Sequence, residues 1–133
     1  MVIYYFTSGM TKIKLLVIDD APYVLKALRD TLEAHGYEVH EAVNGEEALA
    51  RYREVNPDVV LMDILMPKMD GVSATKCILE YDPNAKIIIV TAMGKRGLEK
   101  DCIEAGASDF IMKPFKTKNM LKTINSLVKD ERN

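Results

Sequence analysis

Apolar runs rich in β-branched residues alternate along the chain with segments whose apolar residues recur every three or four positions. The runs predict strands of a sheet, and the recurring positions predict amphipathic helices. Five strands are expected, at residues 14–19, 37–42, 58–63, 85–92 and 108–113. A helix is expected after each strand, and such alternation is typical of an α/β fold whose parallel sheet has helices on both faces.

Residues that favour helix ends support this division of the chain. Pro22 suits the first turn of the first helix, and Gly36 suits its end. Asn44 and Glu47 have the spacing of a capping box at the start of the second helix, which Pro57 ends. An apolar stripe predicts the last helix, and its members are Met120, Leu121, Ile124, Leu127 and Val128.

Composition bounds the class of protein without indicating its function. A chain of 133 residues with 48% hydrophobic content suits a single core, which we expect over residues 12–129. We expect residues 1–11 to be a poorly ordered extension, 130–133 to be a short tail, and no output domain to be attached. The formal net charge of −2 argues against a dedicated nucleic-acid binder.

Targeting and cysteine patterns predict a cytoplasmic protein. No apolar run approaches the roughly 20 residues that span a membrane, so no membrane insertion is expected. The first residues lack the basic start of a signal peptide. Cys77 and Cys102 have no spacing typical of a metal site, and we interpret both as reduced thiols.

Polar residues follow the apolar runs where the strands are predicted to end. Asp19 and Asp20 follow the first run, Asp63 the third, Thr91 the fourth and Lys113 the fifth. The carboxyl ends of parallel strands share one edge of the sheet, and ligands of open α/β sheets bind there. This coincidence is the main functional signal in the sequence.

The residue types at this edge suit the transfer of a phosphoryl group to a carboxylate. Converging carboxylates repel one another, and Mg²⁺ would relieve that repulsion. Lys113 and Thr91 could contact phosphate oxygens, although each taken alone would suggest an ion pair or an ordinary strand residue. A structural Ca²⁺ site is the alternative for the acids, but no EF-hand-like run of oxygen ligands is present. No G-x-x-x-x-G-K-[ST] loop is present, so we do not expect ATP to bind by that route.

Four motifs of the chain resemble the receiver domain of two-component response regulators. They are VIDD (17–20), LMDILMPKMDG (61–71), VTAMG (90–94) and DFIMKPF (109–115), and their order and spacing match across residues 12–129. The resemblance implies a flavodoxin-like, doubly wound (βα)₅ sandwich with strand order 2-1-3-4-5. Within the family, the single-domain chemotaxis regulators are the most similar, because AMG follows the fourth strand and no output domain is expected.

The resemblance implies which residues accept the phosphoryl group and hold the metal. Asp63 matches the phosphorylated aspartate. Asp19, Asp20, Asp63 and the backbone carbonyl of Leu65 match the ligands of Mg²⁺, for which Mn²⁺ could substitute.

The resemblance also implies a switch near the phosphoryl group. Thr91, Ala92 and Lys113 match the residues that contact the phosphate, and Phe110 matches the aromatic switch position. The peptide bond between Lys113 and Pro114 is expected to be cis. In this family phosphorylation draws the threonine toward the phosphate and the aromatic ring turns inward, which shifts the population between two packings.

The resemblance implies a signalling switch, which catalyses its own phosphoryl transfer and slow dephosphorylation. The expected donor is a CheA-like histidine kinase, and the expected target is a flagellar or archaellar motor switch or an adaptor. A phosphatase could also act on the protein, which we expect to be a monomer. A basic patch is predicted to meet an acidic partner surface, with a solvated face as the alternative, and consists of Lys95, Arg96, Lys116, Lys118 and Lys122.

The same residues bear on three other classes of function. A phosphorelay intermediate, or a single-domain regulator outside chemotaxis, remains an alternative. A flavodoxin-like electron carrier is disfavoured, because Asp19 and Asp20 would repel the phosphate of a flavin. A haloacid-dehalogenase-type phosphatase is disfavoured, because Leu65 interrupts the D-x-D-x-[TV] signature.

Three residues depart from the pattern of the family. Phe110 replaces a tyrosine that is common among chemotaxis members, so it has no hydroxyl group to bond a partner. Leu65 and Met93 are apolar where the family often carries polar groups. We hypothesise that both shield the acyl phosphate from water, and we predict that Leu65→Asn speeds self-dephosphorylation. The hydrolysis rate of the phosphorylated protein measures this, and an unchanged rate would contradict it.

Overall fold

Five parallel strands and five helices alternate along the chain in this computed structural model, which describes residues 12–64, 66, 68–92 and 98–132. The strands are β1 (Lys14–Ile18), β2 (Glu38–Ala42), β3 (Val59–Met62), β4 (Ile87–Thr91) and β5 (Asp109–Met112). The helices are α1 (Pro22–Ala34), α2 (Gly45–Val55), α3 (Gly71–Tyr81), α4 (Leu98–Glu104) and α5 (Thr117–Arg132). The predicted extension, residues 1–11, lies outside the described residues.

The strands form a single sheet in the order β2-β1-β3-β4-β5, which confirms the predicted topology. Ile18 at the end of β1 pairs with Ala42 on one side and with Met62 on the other. Thr91 at the end of β4 pairs with Met112 of β5. This register aligns the carboxyl ends of the strands along one edge of the sheet.

The two faces of the sheet bury two separate apolar clusters. Alternate strand residues such as Ile18 and Met62 pack with α2, α3 and α4 in the first cluster. Their neighbours Val17 and Leu61 pack with α1 and α5 in the second. Burial on both faces explains why the inner strands read as continuous apolar runs rather than as an alternation.

The observed boundaries differ from the predicted ones by a few residues. β1 and β3 end one residue earlier than predicted, and the side chains of Asp19 and Asp63, directly after these strands, accept hydrogen bonds from the N–H groups of Ala21 and Ile64. The capping role of Asn44 is confirmed, since its side chain accepts from the Glu47 N–H at 2.8 Å, whereas Glu47 accepts from the N–H of Val43 at 3.2 Å and not from that of Asn44 as in a full capping box. α5 continues to Arg132, past residue 129, where the predicted domain ended.

Among the residues that the structure describes, no helix has the length and apolar character that a bilayer span requires.

Candidate functional site

Three carboxylates converge at the carboxyl edge of the sheet. Oxygens of Asp19, Asp20 and Asp63 all lie within 4.8 Å of one another. Asp19 is only 4% exposed, Asp63 is half-buried and Asp20 is exposed. The site is therefore open to solvent on the Asp20 side and closed beneath Asp19.

Main-chain hydrogen bonds hold two of these acids in place. The Asp63 N–H donates to the Ile18 carbonyl at 2.9 Å, and the Asp19 N–H donates to the Ala42 carbonyl at 3.2 Å. The Ala21 N–H donates to Oδ1 of Asp19 at 3.0 Å, which orients that carboxylate. Their backbones thus extend the sheet ladder past the last strand residues.

Lys113 and Thr91 complete the cluster from the neighbouring strands. Nζ of Lys113 donates to Oδ2 of Asp19 at 3.0 Å, and the Lys113 N–H donates to the Thr91 carbonyl at 2.8 Å. The side chain of Thr91 is buried and lies close enough to Asp63 to lower the pKa of its carboxyl group. The peptide bond between Lys113 and Pro114 is cis, the isomer that the resemblance implied.

The carboxyl group of Asp63 is electrostatically unfavourable in its charged form. Burial raises the pKa of Asp63, and the nearby charge of Asp19 raises it further. The Ile64 N–H, Lys113 and Thr91 lower the pKa of Asp63 but do not cancel these causes. Three carboxylates that lie close together beside Lys113 suit a divalent cation such as Mg²⁺, which would relieve the repulsion.

Asp63→Asn is expected to raise the free energy of unfolding at neutral pH without Mg²⁺, on the order of 1 kcal/mol. Because the folded-state pKa of Asp63 is raised, the wild-type protein gains stability as the pH falls through that pKa toward the ordinary aspartate value. The advantage of the variant should therefore shrink in acid. Urea unfolding at several pH values measures this, and an advantage that grows on acidification would contradict it.

A glycine that the sequence did not single out packs directly behind the acid. Asp70 caps α3 by accepting a hydrogen bond from the Ser73 N–H at 2.9 Å, and Gly71 begins the helix. A Cβ atom on Gly71 would collide with the carbonyl oxygen of Asp63 and lie 2.9 Å from Cα of Ile64. In the sequence, this contact was indicated only by the place of Gly71, which follows the helix-capping Asp70 and comes shortly after Asp63 at the end of a strand.

The other residues predicted for the site or for the partner surface are not part of the carboxylate cluster. Ala92 is exposed directly after β4, and Phe110 is half-buried against the first apolar cluster. Three lysines of the predicted basic patch are exposed, at or just before α5, and they are Lys116, Lys118 and Lys122. Leu65, Met93, Lys95 and Arg96 lie outside the described residues.

An apolar groove, which the sequence did not predict, adjoins the cluster. Its walls come from α1 and from the segment after β5, and they are Tyr23, Val24, Ala27, Leu28, Lys113, Pro114 and Phe115. Tyr23 is 79% exposed, an unusual exposure for an aromatic side chain. Lys113 belongs both to the groove and to the carboxylate cluster, so the two features are continuous.

Comparison with known proteins decides the family. Residues 15–125 match the family model described as the response regulator receiver domain. The chain belongs to the response regulator receiver family. This receiver is 45% identical to the chemotaxis protein CheY of Thermotoga maritima over 117 residues, which are 87% of this chain and 98% of that protein. It is also 45% identical to CheY of Bacillus subtilis over 113 residues, 84% of this chain and 94% of that one.

Solved structures agree with this assignment. The receiver superposes with a TM-score of 0.84 on a chain of the CheX–CheY–BeF3–Mg+2 complex from Borrelia burgdorferi, at 36% identity and with 92% of each chain covered. A CheY-like receiver domain protein from Methanospirillum hungatei gives a TM-score of 0.87 at 28% identity, covering 92% of this chain and 98% of that one. The chain is thus a CheY-like receiver domain.

Proposed function

We propose that this receiver is a CheY-type response regulator of chemotaxis, switched by phosphorylation of Asp63. The observation that carries the proposal is the position of Asp63, which lies with two other acids, a buried threonine and a lysine at one edge of the sheet. Chemotaxis is favoured because relatives named CheY match the receiver over nearly their whole length. We also propose that the receiver domain spans residues 12–129 and works in the cytoplasm.

The acids would provide the metal site of this reaction. Asp19, Asp20 and Asp63 would hold Mg²⁺, with the backbone carbonyl of Leu65 as a further expected ligand. Bound Mg²⁺ would offset negative charge on the transferring phosphoryl group. Three carboxylates with oxygens within 4.8 Å of one another support this assignment.

Asp63 would act as the nucleophile. Its carboxylate oxygen attacks the phosphorus atom of a phosphohistidine, an O–P bond forms, and the P–N bond breaks with its electron pair returning to the imidazole nitrogen. Lys113 and Thr91 adjoin Asp63, so both can contact the oxygens of the incoming group. Hydrolysis of the resulting acyl phosphate resets the switch.

The groove beside Lys113 would receive the phosphohistidine domain of the kinase. A protein donor must bring its imidazole to Asp63, and an apolar surface that shares Lys113 with the site lies where such a donor would approach. Exposed aromatic side chains such as Tyr23 are the residues that most often anchor interfaces.

Tyr23→Ala is expected to slow phosphoryl transfer from the histidine kinase about tenfold, the loss of one interface anchor. Its rate with acetyl phosphate should stay unchanged, because a small donor needs no docking surface. Tyr81→Ala is the matched control, since Tyr81 is also exposed, at 52%, but lies at the end of α3. Equal losses with both donors would show that Tyr23 acts on the chemistry, and no loss with either would exclude docking in the groove.

A second surface would meet the target, either a motor switch or an adaptor. Ile103 of α4 and Met112 of β5 are exposed apolar residues, at 46% and 50%. These residues would supply apolar contacts to the target, and the exposed lysines at or just before α5 would complement its acidic groups. A phosphatase is a further proposed partner, and the complex of the Borrelia CheY with CheX is an example of a similar receiver that binds a second protein.

A further inference from the structure

The first turn of α2 contacts the segment that follows Asp63. Gly45 begins α2 and is buried. A Cβ atom added to Gly45 would collide with the carbonyl oxygen of Met69 and lie 2.5 Å from its Cβ and 2.9 Å from its Cγ. The absence of a side chain at residue 45 therefore allows the backbone of Met69 to approach α2.

This contact rests on a well-anchored helix start. Asn44 is 9% exposed, and its side chain caps α2 by accepting a hydrogen bond from the Glu47 N–H at 2.8 Å. Glu47 in turn accepts a hydrogen bond from the Val43 N–H at 3.2 Å. Because these bonds anchor the start of α2, a methyl group at Gly45 would displace Met69 more readily than α2.

A displacement of Met69 would be transmitted to the metal site. Met69 lies two residues before Gly71, whose N–H donates to the Ile64 carbonyl at 3.0 Å. Gly71 in turn has no room for a side chain against the Asp63 carbonyl. The path from Gly45 to Asp63 therefore runs through the carbonyl oxygen and the side chain of Met69 and then through Gly71, which packs directly on the Asp63 backbone.

We propose that Gly45 is a positioning residue for the metal site, because its close contact with Met69 holds in place the segment that follows Asp63. This inference rests on the proposed function, since it presumes that Asp63 and its neighbours bind Mg²⁺. Gly45 does not have a positive φ, so alanine there would change the available space and not the backbone preference.

A second glycine of the chain provides a matched control. Gly106 follows α4, and a Cβ atom there would collide with Cδ1 of Leu79 in α3. Its φ of +109° adds backbone strain to any substitution. Gly106→Ala should therefore destabilise the fold without a direct path of close contacts to Asp63.

The test compares Mg²⁺ affinity, from calorimetric titration with MgCl₂, and stability, from urea unfolding without Mg²⁺. Gly45→Ala should weaken Mg²⁺ binding by at least about threefold, in the direction known for residues that support metal ligands. Gly106→Ala should bind Mg²⁺ like the wild type despite its lower stability. Wild-type affinity in Gly45→Ala, or an equal loss in both variants, would overturn the proposal.

A second pair of variants keeps the proposal testable if Gly45→Ala does not fold. Met69 and Leu79 are both half-buried and pack on the same apolar cluster. Met69→Ala should weaken Mg²⁺ binding and Leu79→Ala should not, and equal affinities would overturn the positioning role. If the wild type itself bound no Mg²⁺, the proposed function would fail. If the wild type bound Mg²⁺ and the Gly45 and Met69 variants bound it equally well, only the positioning role would fail.

Discussion

Lys113→Met is expected to slow phosphorylation of Asp63 by acetyl phosphate at least about 100-fold, the cost of removing one charged contact to a transition state. Lys113 is the cation that lies closest to the acids in the described structure, with Nζ 3.0 Å from Oδ2 of Asp19. Methionine approximates the length of the lysine stem without its charge. Packing beside Pro114 should therefore persist while the charge is lost.

The same substitution should tighten Mg²⁺ binding. Lys113 pairs with Asp19, which is 4% exposed, so the lysine and the metal compete for one buried carboxylate. Removing the lysine frees that oxygen and leaves the cluster more negative. Slower phosphoryl transfer together with tighter Mg²⁺ binding would indicate an effect of the lost charge. General damage to the fold would instead slow the transfer and weaken Mg²⁺ binding.

Phosphorylation rates at saturating Mg²⁺ and calorimetric titration measure the two effects. Lys116→Met is the matched control, because Lys116 is exposed and lies three residues further along the chain. It should leave both quantities unchanged. Weaker Mg²⁺ binding in Lys113→Met would contradict the competition for Asp19.

The sheet was predictable because burial determines the sequence pattern of its strands. Residues such as Leu61 and Met62 face opposite apolar clusters, so β3 reads as a continuous run. The position of the site followed from the parallel topology, which brings the residues after β1 and β3 to one edge.

Contacts within the site were less predictable, since they depend on distances that periodicity does not encode. The ion pair of Lys113 with Asp19 joins residues 94 positions apart. The approach of Gly45 to Met69 depends on how α2 packs beside the segment after β3. The groove beside Tyr23 likewise depends on how α1 packs next to the segment after β5.

Asp63 is the residue on which the proposed switch depends. Its carboxyl group has a raised pKa, and it adjoins Asp19, Thr91 and Lys113. Asparagine has nearly the same shape and can still accept the Ile64 N–H hydrogen bond, which is 2.7 Å long in the wild type. It provides no carboxylate to attack phosphorus, so the expected loss of phosphorylation is complete.

The mass of the intact protein after incubation with Mg²⁺ and acetyl phosphate tests this claim most directly. Asp58→Asn is the matched control, because Asp58 lies at the opposite end of the same strand. We predict one phosphate mass increment in the wild type and in Asp58→Asn, and none in Asp63→Asn. An increment that persists in Asp63→Asn at wild-type occupancy would show that the phosphoryl group resides elsewhere.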